Sequence, residues 1–118
     1  YTNNQLNGMV TMYHLNGQIA EKAEHQEGKF HGSISLYYES GKLQQEGNYI
    51  AGLAEGTWID YYESGKIFQK GNYKNDVLDG LWKVYHENEV LSKEGLWENG
   101  SLVSEKCWNK EGDKIECK

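Results

Sequence analysis

Along residues 57–73, TWIDYYESGKIFQKGNY, the pattern of apolar and polar positions has a period of two. Trp58, Asp60 and Tyr62 fall on one face of an extended strand, and Thr57, Ile59 and Tyr61 on the other. The triplet Glu63-Ser64-Gly65 interrupts the alternation where a tight loop needs a residue with positive φ, and Gly65 supplies it. The chain then returns as KIFQKGNY, with Ile67, Gln69, Gly71 and Tyr73 expected on one face. The pattern predicts a β-hairpin followed by a short connector. No window carries the 3.6-residue period of an amphipathic helix.

The same pattern recurs every 24 residues. Gly8, Gly32, Gly56 and Gly80 align, as do Ile19, Leu43, Ile67 and Leu91. So do His25, Tyr49, Tyr73 and Trp97, and Ala23 with Gly47, Gly71 and Gly95. The units are 7–30, 31–54, 55–78 and 79–102, with a partial unit at 1–6 and a degenerate C-terminal cap at 103–118. Self-similarity at one fixed period is the signature of a repeat array, in which each hairpin buries its face against its neighbours. The chain is therefore read as one array.

Two columns are expected on the buried face: Val10, Ile34, Trp58 and Trp82, and Met12, Leu36, Asp60 and Val84. Gly71 would leave room for a ring from an adjacent strand, Trp58 or Trp82. The column Tyr13, Tyr37, Tyr61 and Tyr85 would form a row of rings on the opposite face, flanked by Tyr38 and Tyr62. Glu89 stands where the other units have the turn glycine, which predicts an altered loop or a strained residue there. The chain opens at Tyr1 in the second half of a unit, so an upstream segment is expected, and a terminal strand left open could pair with a second copy.

Composition sharpens this picture. Only 37% of the 118 residues are apolar, so aliphatic material for a thick core is scarce. Nine Tyr, four Trp and two Phe compensate, because each ring buries a large area. Fourteen Gly and no Pro fit many tight turns. The net charge is −6, and every cationic residue is Lys. Without Arg, an acidic chain is poorly equipped to hold phosphates, nucleic acid or an anionic membrane. It is better suited to a protein with a basic surface. No apolar run reaches the length of a membrane-spanning helix.

Candidate chemistry is sparse. His14 and His86 occupy the column that Tyr38 and Tyr62 fill, and His25 replaces Tyr49, which points to structural places. His31 has no acidic or Cys companion at ligand spacing. Glu39 and Glu63 sit at equivalent turns one unit apart, too regularly displaced for a paired acid and base. Ser40 and Ser64 precede glycine without a nucleophile elbow. The glycine-rich turns join strand to strand and lack the Lys and helix of a phosphate loop. No catalytic residue, metal site or cofactor is expected. Cys107 and Cys117 are either two free thiols or a disulfide across the C-terminal hairpin.

The unit pattern, G-x-W-x-x-Y-Y-E-x-G-K-x-x-x-x-G-x-Y-x-x-G, resembles the MORN-repeat variant, and is most similar to the bacterial YwqK-like antitoxin family. The likeness is clearest over residues 55–100. It implies an all-β fold of stacked antiparallel hairpins in one elongated, twisted sheet. It also implies a protein-binding role, with neutralisation of a partner toxin as the family role. The expectation is a non-catalytic interaction module, cytoplasmic if an antitoxin. The alternatives are a secreted or cell-envelope structural or adhesive repeat protein, if a leader was removed, and a carbohydrate-binding aromatic sheet. Tyr13, Tyr37, Tyr38, Tyr61, Tyr62 and Tyr85 are the candidate binding residues.

Overall fold

A computed structural model describes residues 8–117, and the expectations placed on the partial unit and on Tyr1 lie outside them. Twelve strands follow in chain order: β1 (Gly8–Tyr13), β2 (Ile19–Gln26), β3 (Lys29–Tyr37), β4 (Leu43–Ile50), β5 (Leu53–Ala54), β6 (Gly56–Tyr61), β7 (Ile67–Lys74), β8 (Val77–Leu78), β9 (Gly80–Tyr85), β10 (Leu91–Glu98), β11 (Ser101–Trp108) and β12 (Lys114–Ile115). All belong to one open antiparallel sheet, ordered β1-β2-β3-β4-β6-β7-β9-β10-β11-β12, with β5 on β4 and β8 on β7. No described residue is helical. Sequential neighbours in the chain are neighbours in the sheet, as a hairpin array requires. The radius of gyration is 16.7 Å, against about 13–14 Å for a compact domain of this length. The molecule measures 54 × 36 × 17 Å, so it is a long, thin slab.

Two kinds of turn alternate. At the hairpin apices Gly17, Gly41 and Gly65 hold positive φ, and Gly65 N–H donates to the Tyr62 carbonyl at 2.9 Å. This is a three-residue loop closed by a left-handed residue. Beyond it a bulge at Phe68 shifts the register: Asp60 faces Gln69, but Tyr61 faces Ile67. Ile67 thus joins Tyr61, not Gln69, Gly71 and Tyr73 as strict alternation implies. The strand also ends at Tyr61, so Tyr62 belongs to the loop and not to the row of Trp58 and Asp60. Between units the chain reverses through pairs with positive φ at both positions: Glu27-Gly28, Ala51-Gly52, Asn75-Asp76 and Asn99-Gly100.

Glu89 adopts φ 73° and keeps the same loop, its N–H donating to the His86 carbonyl at 2.9 Å. The loop is thus unaltered, and the whole cost of losing glycine falls on the backbone of Glu89.

The core lies on one face of the sheet, which we term the ring face. Ala23, Ile34, Ala54 and Trp58 are buried there, with Phe30, Tyr49 and Tyr73 packed against them. Rings run along this face without a break. Centroid separations are 4.7 Å for His25–Phe30, 5.0 Å for Phe30–Tyr49, 5.0 Å for Tyr49–Trp58, 6.0 Å for Trp58–Tyr73 and 6.2 Å for Tyr73–Trp82. The glycine column makes this possible. A Cβ on Gly47 would overlap the Trp58 ring, and one on Gly71 would overlap Trp82. Gly71 therefore accommodates Trp82, while Trp58 sits on the preceding Gly47. Where the ring is replaced by the smaller Ile34, its partner Ala23 carries a methyl group. Large meets absent and medium meets small, so the facing volumes match.

Met12 departs from its expected burial, with 55% of its surface exposed. It shares a column with Leu36 and Val84, but β1 has no described neighbour on its outer side to cover it.

Candidate protein-binding face

The face opposite the rings carries Tyr13, Tyr37, Tyr61 and Tyr85 at the apex end of each hairpin. Each stands across from an aliphatic residue: Tyr13 from Ile19, Tyr37 from Leu43, Tyr61 from Ile67 and Tyr85 from Leu91. Aromatic–aliphatic cross-strand pairs of this kind stabilise a sheet. The four tyrosines lie on the expected face, but no ring contact joins them; the continuous row of rings is on the other face. Tyr13, on β1, is exposed, while Tyr37, Tyr61 and Tyr85 are half-buried. The Tyr61 hydroxyl donates to Glu46 Oε1 at 2.8 Å. Burial, then this hydrogen bond and the carboxylate charge, push its pKa up to about 12.

The second tyrosine of each pair reaches into the next unit. Tyr38 Oη donates to the Tyr61 carbonyl at 2.5 Å, and Tyr62 Oη to the Tyr85 carbonyl at 2.6 Å. The two histidines of this column make the same reach: His14 Nε2 lies 2.8 Å from the Tyr37 carbonyl and His86 Nε2 3.0 Å from that of Trp108. Tyr and His are both long, flat and tipped with an N–H or O–H donor, which explains why they interchange here. The carbonyls they satisfy stand at the end of each strand, where the ladder stops. Burial is the leading cause of the raised pKa of both Tyr38 and Tyr62, with Glu63 and Glu87 respectively adding their charge.

The remaining histidines are structural as well. His31 Nδ1 accepts from Ala51 N–H at 3.0 Å, and the equivalent carboxylate of Glu55 accepts from Asn75 N–H at 2.7 Å. His25 packs on Phe30. Sequence reading places these side chains in columns but misses the 20- to 23-residue hydrogen bonds between units. The signal was the interchange of Tyr with His, and of His with Glu and Asp79, at positions that need only a donor or only an acceptor.

At the apices Glu39 follows Tyr37-Tyr38, Glu63 follows Tyr61-Tyr62 and Glu87 follows Tyr85-His86, while the first apex reads Tyr13-His14-Leu15. Between them lie shallow hollows. One of about 220 Å³ is lined by Tyr38, Gln45, Asp60, Tyr61 and Phe68; another of about 240 Å³ by Ile67, Tyr85 and Glu89. Glu39 and Glu63 remain on separate apices, and their units are joined by Tyr38 rather than by a shared proton.

Cys107 and Cys117 are paired as a disulfide. It ties the last residues back to β11, where β12 pairs Ile115 with Cys107 and Lys114 with Trp108.

The repeat unit is matched by the family model described as MORN repeat variant, at residues 6–27, 30–51, 54–75 and 78–99. The chain belongs to this family. No curated protein matches it. Each matched stretch of this MORN repeat variant protein covers one apex hairpin and ends at the two-residue turn before the next unit. The period of the family match is the period of the apex tyrosines Tyr13, Tyr37, Tyr61 and Tyr85.

Proposed function

We propose that this MORN-repeat array is a non-catalytic protein-binding module whose apex strip captures a partner with a basic surface. The observation that carries the reading is the apex strip itself: a tyrosine in each unit, a glutamate two residues on in the last three and a second tyrosine in the middle two, on a chain of net charge −6. Tyrosine offers large contact area with a polar tip, and regularly spaced carboxylates speed the encounter with a cationic surface. An extended slab with shallow hollows suits a protein surface better than a small molecule, which needs a deep apolar pocket. The finer reading is an antitoxin or immunity protein that neutralises a toxin, supported by the likeness of the unit to YwqK-like antitoxins. A second reading, an extracytoplasmic structural or adhesive repeat protein, is favoured by the Cys107–Cys117 disulfide, since such bonds persist in oxidising compartments.

The test is affinity capture from the native cell, followed by titration of the purified complex in salt. A one-to-one complex with a basic protein is expected, its association slowed about tenfold by the triple variant Glu39→Gln, Glu63→Gln, Glu87→Gln. Binding of glycans in place of any protein, or a complex indifferent to the triple variant, would refute the strip as the binding face.

A further inference from the structure

On the face opposite the rings, one mid-strand row of side chains crosses the sheet in register. Where one unit meets the next, Lys22 faces Ser35, Glu46 faces Ile59 and Glu94 faces Lys106. The junction between the third and fourth units departs from this pattern. There Lys70 of β7 stands directly opposite Lys83 of β9, the one cross-strand pair of like charges among the described residues. Like charges so placed cost stability, and both side chains are half-buried.

Nothing within the chain neutralises the pair. Neither lysine has an ion-pair or hydrogen-bond partner among the described residues. On its other side Lys70 faces Ile59. Lys83 faces Glu94, but Glu94 stands between Lys83 and Lys106, so one carboxylate is divided between two ammonium groups. The two lysines share a hollow of about 250 Å³ with Thr57, Gly71, Asn72 and Leu81. Thr57 Oγ1 donates to Asn72 Oδ1 at 2.8 Å, which occupies the amide oxygen and leaves the amide N–H groups to donate. The hollow therefore presents two ammonium groups and an amide donor, with Leu81, 47% exposed, as an apolar neighbour.

We propose that this hollow holds a carboxylate side chain from an extended acidic segment of a partner protein. Lys70 and Lys83 each take one carboxylate oxygen, Asn72 donates beside them, and an apolar side chain of the segment rests on Leu81. The two oxygens of a carboxylate match two charged donors. A phosphate is better served by Arg or by a nest of free backbone N–H groups, and this strand ladder offers neither. The hollow is too shallow to enclose a small acid, and exposed ion pairs alone contribute little, so the contact with Leu81 favours a peptide. The net charge of −6 opposes the approach. Screening over about 8 Å at physiological ionic strength leaves the local charges to decide, and there Glu94 is the only carboxylate in register with the pair. The site lies mid-strand and takes a charge opposite to that of the partner proposed for the apices, so it does not rest on that reading.

The test is titration of the 118-residue chain with a capped peptide of alternating glutamate and leucine, followed through the backbone amides by NMR. Saturable, salt-sensitive shifts are expected in β7 and β9. Lys70→Gln and Lys83→Gln should each weaken binding by about threefold to fivefold. Both relieve the like-charge contact, so their melting temperatures should equal or exceed that of the wild type, which separates lost binding from lost fold. Glu94→Gln, which removes the competing carboxylate, should strengthen binding. Lys22→Gln, in the same row but facing Ser35, should leave it unchanged. The absence of saturable shifts in β7 and β9 would overturn the proposal, as would equal binding of the peptide with glutamine in place of glutamate. So would binding indifferent to both lysine variants, or displacement of the peptide by an equal concentration of inorganic phosphate.

Discussion

At the scale of single residues, stability rests on how side chains of one unit meet the backbone of the next. Gly71 and Trp82 are the clearest case, because an added Cβ would occupy the space of the indole. Gly71→Ala should destabilise by about 1–3 kcal/mol through overpacking. Trp82→Ile should also destabilise, by leaving a cavity. Together they recreate the Ala23–Ile34 combination already present in the same two columns, two units earlier. The double variant should then recover about 1 kcal/mol or more relative to the sum of the two, measured as the coupling in a denaturant double-mutant cycle. Additive costs would show that the indole and the missing Cβ are not in contact.

Tyr61 offers a second residue-scale test. Its neutral phenol is the form the fold favours, since it is half-buried and donates to Glu46. Its pKa is about 12 in the fold against about 10 in the unfolded chain. The stabilisation is therefore fully present below pH 10 and fades as pH rises from 10 towards 12. Wild-type melting temperature should fall over this interval, and Tyr61→Phe should fall less steeply. Equal slopes would mean that the hydroxyl carries no linkage. Glycine, tyrosine and tryptophan columns were all legible in the sequence as period and type. Which tryptophan lies on which glycine was not, because the ring leans over the preceding strand and the lean is set by packing on both sides.

At the scale of the element, the hairpin was legible down to its turn residues, because positive φ and a two-residue period leave distinct marks. The side chains near each apex were not. A bulge at Phe68 inserts one residue in the returning strand, which puts Ile67 on the face of Tyr61 and leaves Phe68 against the Tyr62 ring at 5.0 Å. A pattern count that assumes an unbroken period of two cannot register an inserted residue. The fourth hairpin tests the turn directly. It closes as the others do, with Glu89 strained at φ 73° where glycine would be at ease. Glu89→Gly should stabilise by roughly 0.5–1 kcal/mol, the backbone relief exceeding the added freedom of the unfolded chain. A rise of a few degrees in melting temperature is expected. A fall would mean that the Glu89 side chain contributes more than its backbone costs.

At the scale of the whole molecule, burial is concentrated well inside the array. Ala23, Ile34, Ala54 and Trp58 are buried, whereas most of β1 and of β11 is exposed. The exposure of Met12 was not legible from periodicity, since Met12, Leu36 and Val84 share one column and differ, among the described residues, in having a second neighbouring strand. In such an array each unit contacts only the units beside it, so stability is a sum of unit and interface terms. Opening should then begin at the ends and move inward, rather than occur in one step. Native-state hydrogen exchange should show the highest opening free energies in β4, β6 and β7, which flank Trp58, and lower values in β1 and β11. The disulfide joins β12 to β11 but adds no contact to the centre, so reducing it should release the C-terminal end alone. A single opening free energy shared by all strands would instead mean that the ring row, unbroken from His25 to Trp82, couples the units into one cooperative body.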